Sequence, residues 1–539
     1  MRTVFRRSGI ALAVVVVSSV SVFGQSGQVP AASTRRLSVD EAVRLAVAQN
    51  LGIRIERLNP EIQDVAIAQT RGAWVPSLLS SLNRTSTSTA PTNPFAGGLN
   101  KITDSRFETV LGVTQVLPTG GDYSLTWNSS RLSSSNFFQT FNPQMLSSLA
   151  VDFTQPLLRN FKIDNTRQQL EINRKVRENG DTTLQQTITQ TVRNVKNAYW
   201  DLSFSINNLN AQRQSLDLAK RLLADNEKRV QIGTMAPIDI VEAQSEVARQ
   251  EESVIVAEAA IKSAEDRLRA LIFDPASPDF WTITIEPSDE TPFEVQAIDT
   301  DAAVRRALDI RTDLRQAKNG LEQNDVSIRY LKNQLMPDVN ANLVYRGTGT
   351  GGSRYQTDIN AALEGRPPAR LLVSERGYSS VMGDVFGAAY PTWTFGVQVG
   401  YPIGQSAQEA NLARARLQYS QAQTQMRNLE LGVATQVREA ARTVQTNQKR
   451  VDSTRAAREL AERRLEAAEK KFAAGIETSF FVFQAQRDLA QARTSEVRAI
   501  SDYNKSLVDF EAVQEVPLGG GGGGITSVGA GASVAAIGR

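Results

Sequence analysis

The chain has 539 residues with 60 basic and 57 acidic side chains, a net charge of +3, no cysteine and no histidine. Thiol chemistry, histidine general-base catalysis and the usual zinc sites are thereby excluded, and so even a charge balance announces no nucleic-acid partner. The carboxylates are scattered along helical segments with no convergent pair, so nothing points to an enzyme, a metal or a cofactor.

Residues 1–24 read as an export signal: Arg2, Arg6 and Arg7 precede an apolar run over 10–23, with a cut expected ahead of Gln25. That run is short for a bilayer span. No later apolar run approaches the ~20 residues of a membrane helix, and no lipobox cysteine is present, so any crossing must be made by strands.

After a lead over 25–37, Ser38 and the acids Asp40 and Glu41 open a first helix over 38–76, with Gly52 and Pro60 expected to bend or interrupt it. Residues 77–158 lose the helical period. A hairpin over 107–131, turning at Thr119-Gly120, and the alternation of Leu149, Val151 and Phe153 with polar residues suggest four strands here. Residues 163–272 form a long helical hairpin. Its outgoing arm carries Val195, Leu202, Leu209, Leu216, Leu223 and Val230 seven apart, and its return arm Ile240, Val247, Val254, Ile261 and Leu268. An outgoing helix from 165 to 230 would extend roughly 100 Å at 1.5 Å per residue. The opposite seam is thin, with small or polar residues such as Ala198, Ser205 and Ala219, which lets neighbouring helices approach closely.

The plan then repeats. A Pro- and Asp-rich linker over 273–300 reads as a collar on the outside of the helices, and Asp40, Ala42, Val43, Arg44, Ala46, Glu61, Asp64, Val65, Ile67 and Pro76 recur, ungapped, as Asp301, Ala303, Val304, Arg305, Ala307, Glu322, Asp325, Val326, Ile328 and Pro337. A first helix over 301–336 leads into strands over 337–403, where Val339, Ala341, Leu343 and Tyr345, then Trp393, Phe395, Val397, Val399 and Tyr401, alternate with polar or small residues. One apolar face and one polar face suit a lipid-facing, water-filled barrel. A half-buried soluble sheet would alternate too, but the export signal and the aromatic strand ends favour the barrel. Residues 347–389 read as an external loop, and the spacing of Gly347, Gly349 and Gly352 is assigned to it, since no βαβ unit surrounds a nucleotide motif there. A second hairpin over 405–516 repeats the heptads as Val437, Val444, Val451, Arg458, Leu465 and Phe472, returning through Val482, Leu489, Tyr503 and Phe510, with Glu496 breaking the series. Residues 517–539, with six consecutive glycines, read as a flexible tail.

The opening Leu37-Ser38-Val39-Asp40-Glu41, the Gln155-Pro156-Leu157 exit from the strands, and the two tips around Gly233 and Gly475 together resemble the TolC-like outer membrane efflux protein family over residues 38–516. The resemblance implies an α+β membrane protein: a homotrimeric outer-membrane β-barrel continued by a long antiparallel coiled-coil tunnel into the periplasm. It also implies an exit duct for a tripartite efflux pump or a type I secretion system, working with a periplasmic adaptor and an inner-membrane pump or ABC exporter. On that reading Arg229, Gly233, Lys471 and Gly475 form adaptor-docking tips, and Asp239, Glu242, Phe481 and Gln484 line the periplasmic aperture. Two departures stand out: the extra hairpin puts the usual twelve-strand barrel in question against eighteen, and the family's acidic ring past the second tip falls on Phe481 and Gln484. The residues alone also allow plainer roles, with Asp239 and Glu242 as first-turn helix acids, and Arg229 and Lys471 as cations complementing helix C-termini. A non-pore exported coiled-coil scaffold would share the heptads and the signal but leaves the recurring alternating strands without a purpose.

Overall fold

The computed structural model describes residues 34–91, 100–289, 293–358, 360–361, 369–404 and 406–518. The expected export signal and the glycine run from Gly519 lie outside the described residues.

The first copy opens with a short strand β1 (Thr34–Leu37) and helix α1 (Val39–Gln49), capped reciprocally by Ser38 and Glu41. Helix α2 (Leu51–Arg71) follows after a break at Asn50. Gly52 and Pro60 lie inside α2, so the interruption falls on neither residue expected to make it. Asn50 does so by adopting extended backbone and turning its side-chain oxygen to Ile53 N at 3.2 Å, which caps the next helix. The second copy breaks at the equivalent residue, Arg311, between α5 (Thr300–Ile310) and α6 (Thr312–Gln334).

Four strands then rise and fall: β2 (Ser77–Thr89), β3 (Ile102–Val116), β4 (Asp122–Ser134) and β5 (Phe141–Pro156). Helix α3 (Asn165–Gln231) and the return helix α4 (Ile238–Ile272) make the first hairpin. A strand β6 (Thr284–Pro287) pairs in parallel with β1, and Tyr199 on α3 binds this collar, its hydroxyl 3.1 Å from Leu37 O and from Asp289 Oδ2. In the second copy the long strand β7 (Asp338–Thr357) is followed by β8 (Arg370–Arg376), a helix α7 (Tyr378–Phe386) and β9 (Pro391–Gly400), then by α8 (Ala407–Ala473) and α9 (Ser479–Val513). The outgoing helices α3 and α8 each have 67 residues and the return helices α4 and α9 each have 35. The two copies are thus equal in their long hairpins and unequal in their strands.

One antiparallel sheet joins both copies in the order β2-β3-β4-β5-β7, with β9 on the lower part of the free edge of β7 and β8 on its upper part. Because β8 and β9 share that edge as one interrupted strand, the sheet is six strands wide. Its faces are chemically distinct. Cross-strand rows such as Leu78, Val113, Leu125, Val151, Tyr345 and Trp393 lie on one face, and Asn128, Ser148, Thr348 and the flanking Asp152, Asn342 and Gln398 on the other. The segment expected as an external loop is largely ordered structure: β7 runs on to Thr357, and β8 and α7 follow. Gly347 and Gly349 therefore sit in a strand, and the backbone of α7, which a Cβ at either would meet, accounts for them rather than loop geometry.

The seven-residue series supply the buried seams of α3, α8 and α9, whereas on α4 only Leu268 of the expected series is buried and Ile240, Val247, Val254 and Ile261 are half-buried. Val195, Leu202 and Leu209 on α3, and Val437, Val444, Val451, Leu465 and Phe472 on α8, are buried, as are Val482, Leu489 and Tyr503 on α9. On α4 the buried positions are mainly small or polar, including Ala243, Gln250, Ala257 and Ala264, so that helix packs closely with little apolar area. Laterally, α2 packs on α3, α3 on α6 and α6 on α8, the same order as the strands above them. No described helix is long and apolar enough to cross a membrane.

Candidate helix tips and tunnel aperture

Farthest from the sheet, the two helical hairpins turn in the same way. Gly233 (φ 78°) donates to Val230 O at 3.0 Å and Thr234 to Arg229 O at 2.9 Å; Gly475 (φ 71°) donates to Phe472 O at 3.0 Å and Ile476 to Lys471 O at 2.9 Å. This is the paired closure of a helix C-terminus that needs a left-handed residue just past the end. A Cβ at either glycine would meet nothing within 4 Å, so backbone conformation and not crowding selects glycine.

Under the turns one apolar cluster ties the hairpins together, joining Leu222 and Ala243 of the first to Leu465, Phe472, Val482, Phe483 and Leu489 of the second. Arg229 crosses between them. Its guanidinium stacks 4.3 Å from the Phe472 ring centre and donates to Phe472 O at 3.3 Å, so it is engaged within the protomer. Lys471 is exposed and pairs with Glu477 at 2.6 Å. Of the four tip residues, Gly233, Lys471 and Gly475 face solvent and Arg229 is half-buried.

The four residues expected at the aperture divide similarly. Glu242, Phe481 and Gln484 are exposed, with Phe481 edge-on to Phe480 at 5.7 Å. Asp239 is half-buried: its carboxylate accepts from Ser479 Oγ at 3.4 Å and its backbone oxygen from the fully buried Asn226 at 3.5 Å. The chain therefore brings Asp239 to the second hairpin as a joint and leaves Glu242 exposed beside it.

One joint was not visible in the sequence. Seven residues after Asp239, Glu246 is only 3% exposed and takes hydrogen bonds from Gln250 at 2.9 Å and from Arg487 of α9 at 3.1 Å, with Arg249 at 3.4 Å. Periodicity places Glu246 on the same face as Asp239. It does not reveal that an arginine 241 residues later arrives opposite it.

Paired long helices thus continue one amphipathic sheet. The profile of the outer membrane efflux protein family matches residues 120–272 and 303–513, and the chain belongs to that family. Its fold is similar to those of solved outer-membrane channels at low sequence identity. The Campylobacter jejuni CmeC channel shares 14% identity at a TM-score of 0.60, with 88% of this chain and 85% of that one covered. The open state of the Neisseria gonorrhoeae MtrE channel shares 14% identity at 0.58, covering 88% and 89%. Vibrio cholerae VceC shares 14% at 0.58, covering 89% and 96%. Among curated proteins none matches the sequence.

Proposed function

We propose that three copies of this chain close an outer-membrane barrel and a helical tunnel beneath it in the periplasm, forming the exit duct of a tripartite efflux pump or type I secretion system. The observation that carries this reading is that sheet and helices are open at the same two lateral edges. Among the described residues, β2 and α2 have no outer neighbour on one side, and β9 and α8 have none on the other. Both edges expose apolar side chains. Along α2, Leu51, Ile55, Leu58, Ile62 and Val65 follow one another at spacings of three and four, and Leu78, Leu79 and Leu82 continue above them on β2. The opposite edge exposes Phe395, Val397 and Val399 on β9 and Leu417 and Leu431 on α8. Unpaired strand groups in hydrocarbon cost several kcal/mol each, so an open six-strand sheet cannot stand in a membrane and must pair edge to edge.

Three copies of six strands make eighteen, a width at which barrels hold an aqueous channel. The polar sheet face lines it. At the far end the hairpin tips present Gly233, Lys471 and Gly475 to a periplasmic adaptor, which connects the duct to an inner-membrane pump or ABC exporter. Cysteine substitutions serve as the test because the native chain has no cysteine. Pairing a β2 position such as Ser81→Cys with a scan along β9 is expected to give covalent trimers at one register, and purified trimers are expected to conduct across a planar bilayer. A monomer stable without detergent, with no cross-link and no conductance, overturns the reading.

A further inference from the structure

The descending strand of the second copy is interrupted, and the interruption lies on the outside of the sheet. β8 leaves β7 opposite Gly352, β9 rejoins it opposite Gly347, and between them α7 folds onto the sheet surface. The side it chooses follows from strand parity. Gly347, Gly349 and Gly351 alternate in phase with Val339, Ala341, Leu343 and Tyr345, and the register with β5 is unbroken from Asn340 to Gly352. A Cβ at Gly349 would stand 2.4 Å from Val381 O, one at Gly347 2.9 Å from Val385 O, and one at Gly351 2.3 Å from a Val381 methyl. Helix backbone thus lies directly on strand backbone, on the apolar face. Tyr378 OH to Ser129 Oγ at 2.9 Å and Ser147 Oγ to Met382 Sδ at 3.5 Å, both serines in phase with the apolar rows, fix the same side.

We infer that α7 is a membrane-interface helix seated in the outer leaflet, where it completes the lipid-facing belt and brings Arg84 and Arg131 to anionic headgroups. This rests on the barrel reading above and deepens it. On β7 alone the apolar band from Val339 to Tyr345 rises about 20 Å along the strand, or about 15 Å once tilted, against the ~25 Å that an outer-membrane belt requires; Leu149, Trp127 and Leu111 on the neighbouring strands carry it one row higher. Above Tyr345 the face of β7 itself offers only the three glycines, with Ser147 and Ser129 beside Gly349, and α7 covers these. Measured to Gly351 the tilted height reaches about 30 Å. The covering segment suits lipid. The only charges in residues 376–390 are Arg376 and Asp384, which pair at 2.7 Å, while Phe386 and Tyr390 stand exposed beside Trp393. One row higher, Arg84, Phe107, Arg131, Met145 and Gly351 lie side by side across five strands. Arg84 and Arg131 are exposed on the outer face and have no ion-pair partner among the described residues. Two unpaired guanidinium groups just outside an aromatic margin complement phosphate-bearing headgroups.

Nitroxide labels on Ser379→Cys in α7, with Val397→Cys on the apolar sheet face and Gln398→Cys on the polar face as comparators, test the placement in trimers reconstituted in lipid vesicles. Ser379 and Val397 labels are expected to collide more with molecular oxygen than with a water-soluble nickel chelate, and the Gln398 label the reverse. If Val397 reports lipid and Ser379 reports water, α7 is an extramembrane helix and the inference falls while the barrel stands. If Val397 itself reports water, the barrel reading falls first. For the headgroup part, the parent is expected to melt at higher temperature in phosphatidylcholine vesicles containing phosphatidylglycerol than in phosphatidylcholine alone, and Arg84→Ser with Arg131→Ser to lose that rise. An unchanged rise in the double variant overturns it.

Discussion

Arg458 Nε and Glu496 Oε2 lie 2.5 Å apart, so the two residues that break the apolar heptads of the second hairpin are partners of one another. Their side chains are 26% and 13% exposed, and the pair is embedded in a wider set: Arg455 reaches Glu496 at 3.5 Å, and Glu462 joins Arg458 at 3.0 Å to Arg493 at 3.2 Å. A seam that is apolar above and below thus carries one ionic layer. Glu496→Leu alone leaves Arg458 Nε without its acceptor, Glu462 still holding Nη1, and is expected to destabilise the protein by about 1–3 kcal/mol, the cost of an unsatisfied half-buried group. Arg458→Leu with Glu496→Leu restores the heptad and is expected to recover most of the loss, because a partly desolvated ion pair adds little over apolar packing. Thermal unfolding of the single and double variants checks both.

The same layer gives a pH signature. Burial alone would raise the Glu462 carboxyl, but hydrogen bonds from Arg493 and Arg458 outweigh it and hold the group below its ordinary value. A depressed carboxylate contributes stability above its unfolded value and loses it as pH falls through the folded one. Melting temperature is therefore expected to fall on acidification below the ordinary carboxylate range. Glu462→Gln should lie below the parent at neutral pH and show a shallower acid decline. A parallel decline in parent and variant would assign the acid sensitivity to other groups.

At the collar, burial pushes the Tyr199 hydroxyl up to about 12, so it stays neutral and donates to Leu37 O or Asp289 while accepting from the Asp289 backbone. Tyr199→Phe keeps the ring against Trp200, 5.4 Å away, and removes only the hydroxyl. The expected cost is roughly 1–2 kcal/mol, read as faster proteolysis at the β1–β6 pair.

What the sequence disclosed and what it withheld divide along a physical line. Heptad spacing reports which face of a helix is buried, and Val437, Val444 and Val451 are buried as that spacing requires. Alternation likewise reported the faces of β7 and β9. Neither pattern names the partner. Arg458 and Glu496 look like separate defects, and Asp239 and Glu246 like solvated acids, until Ser479 and Arg487 arrive from the second copy. Local strength can also mislead: Pro60 is the strongest breaker in the first helix, yet the chain breaks at Asn50, where a side-chain cap offsets the lost helical bonds. α7 escaped because a glycine-rich strand beneath a short helix reads as loop on both counts.

Replacing both tip glycines by valine forces a β-branched residue into left-handed backbone at φ near 78° and 71°. Space is free at both positions, so the disturbance is confined to the turns and trimer assembly is expected to persist. Transport should fall sharply if the tips receive the adaptor. Normal transport at normal trimer levels would place docking elsewhere.

The aperture prediction is narrowed by what Asp239 touches. Because its carboxylate binds Ser479 and holds two hairpins together, Asp239→Asn keeps that hydrogen bond through its remaining oxygen and is expected to change selectivity little. Glu242 is exposed with no such partner among the described residues, so in a trimer three Glu242 carboxylates would stand at one level and attract cations. Three exposed Phe481 rings, one turn into α9, would form an apolar constriction that resists wetting. Glu242→Gln is therefore expected to lower cation preference, and Phe481→Ala to raise resting conductance without altering selectivity, both read as single-channel currents across a planar bilayer under a salt gradient. If Glu242→Gln selects ions as the parent does, the acid is an ordinary solvent-facing residue of α4 and lies away from the pore. If Phe481→Ala leaves conductance unchanged, the constriction is made elsewhere along α9.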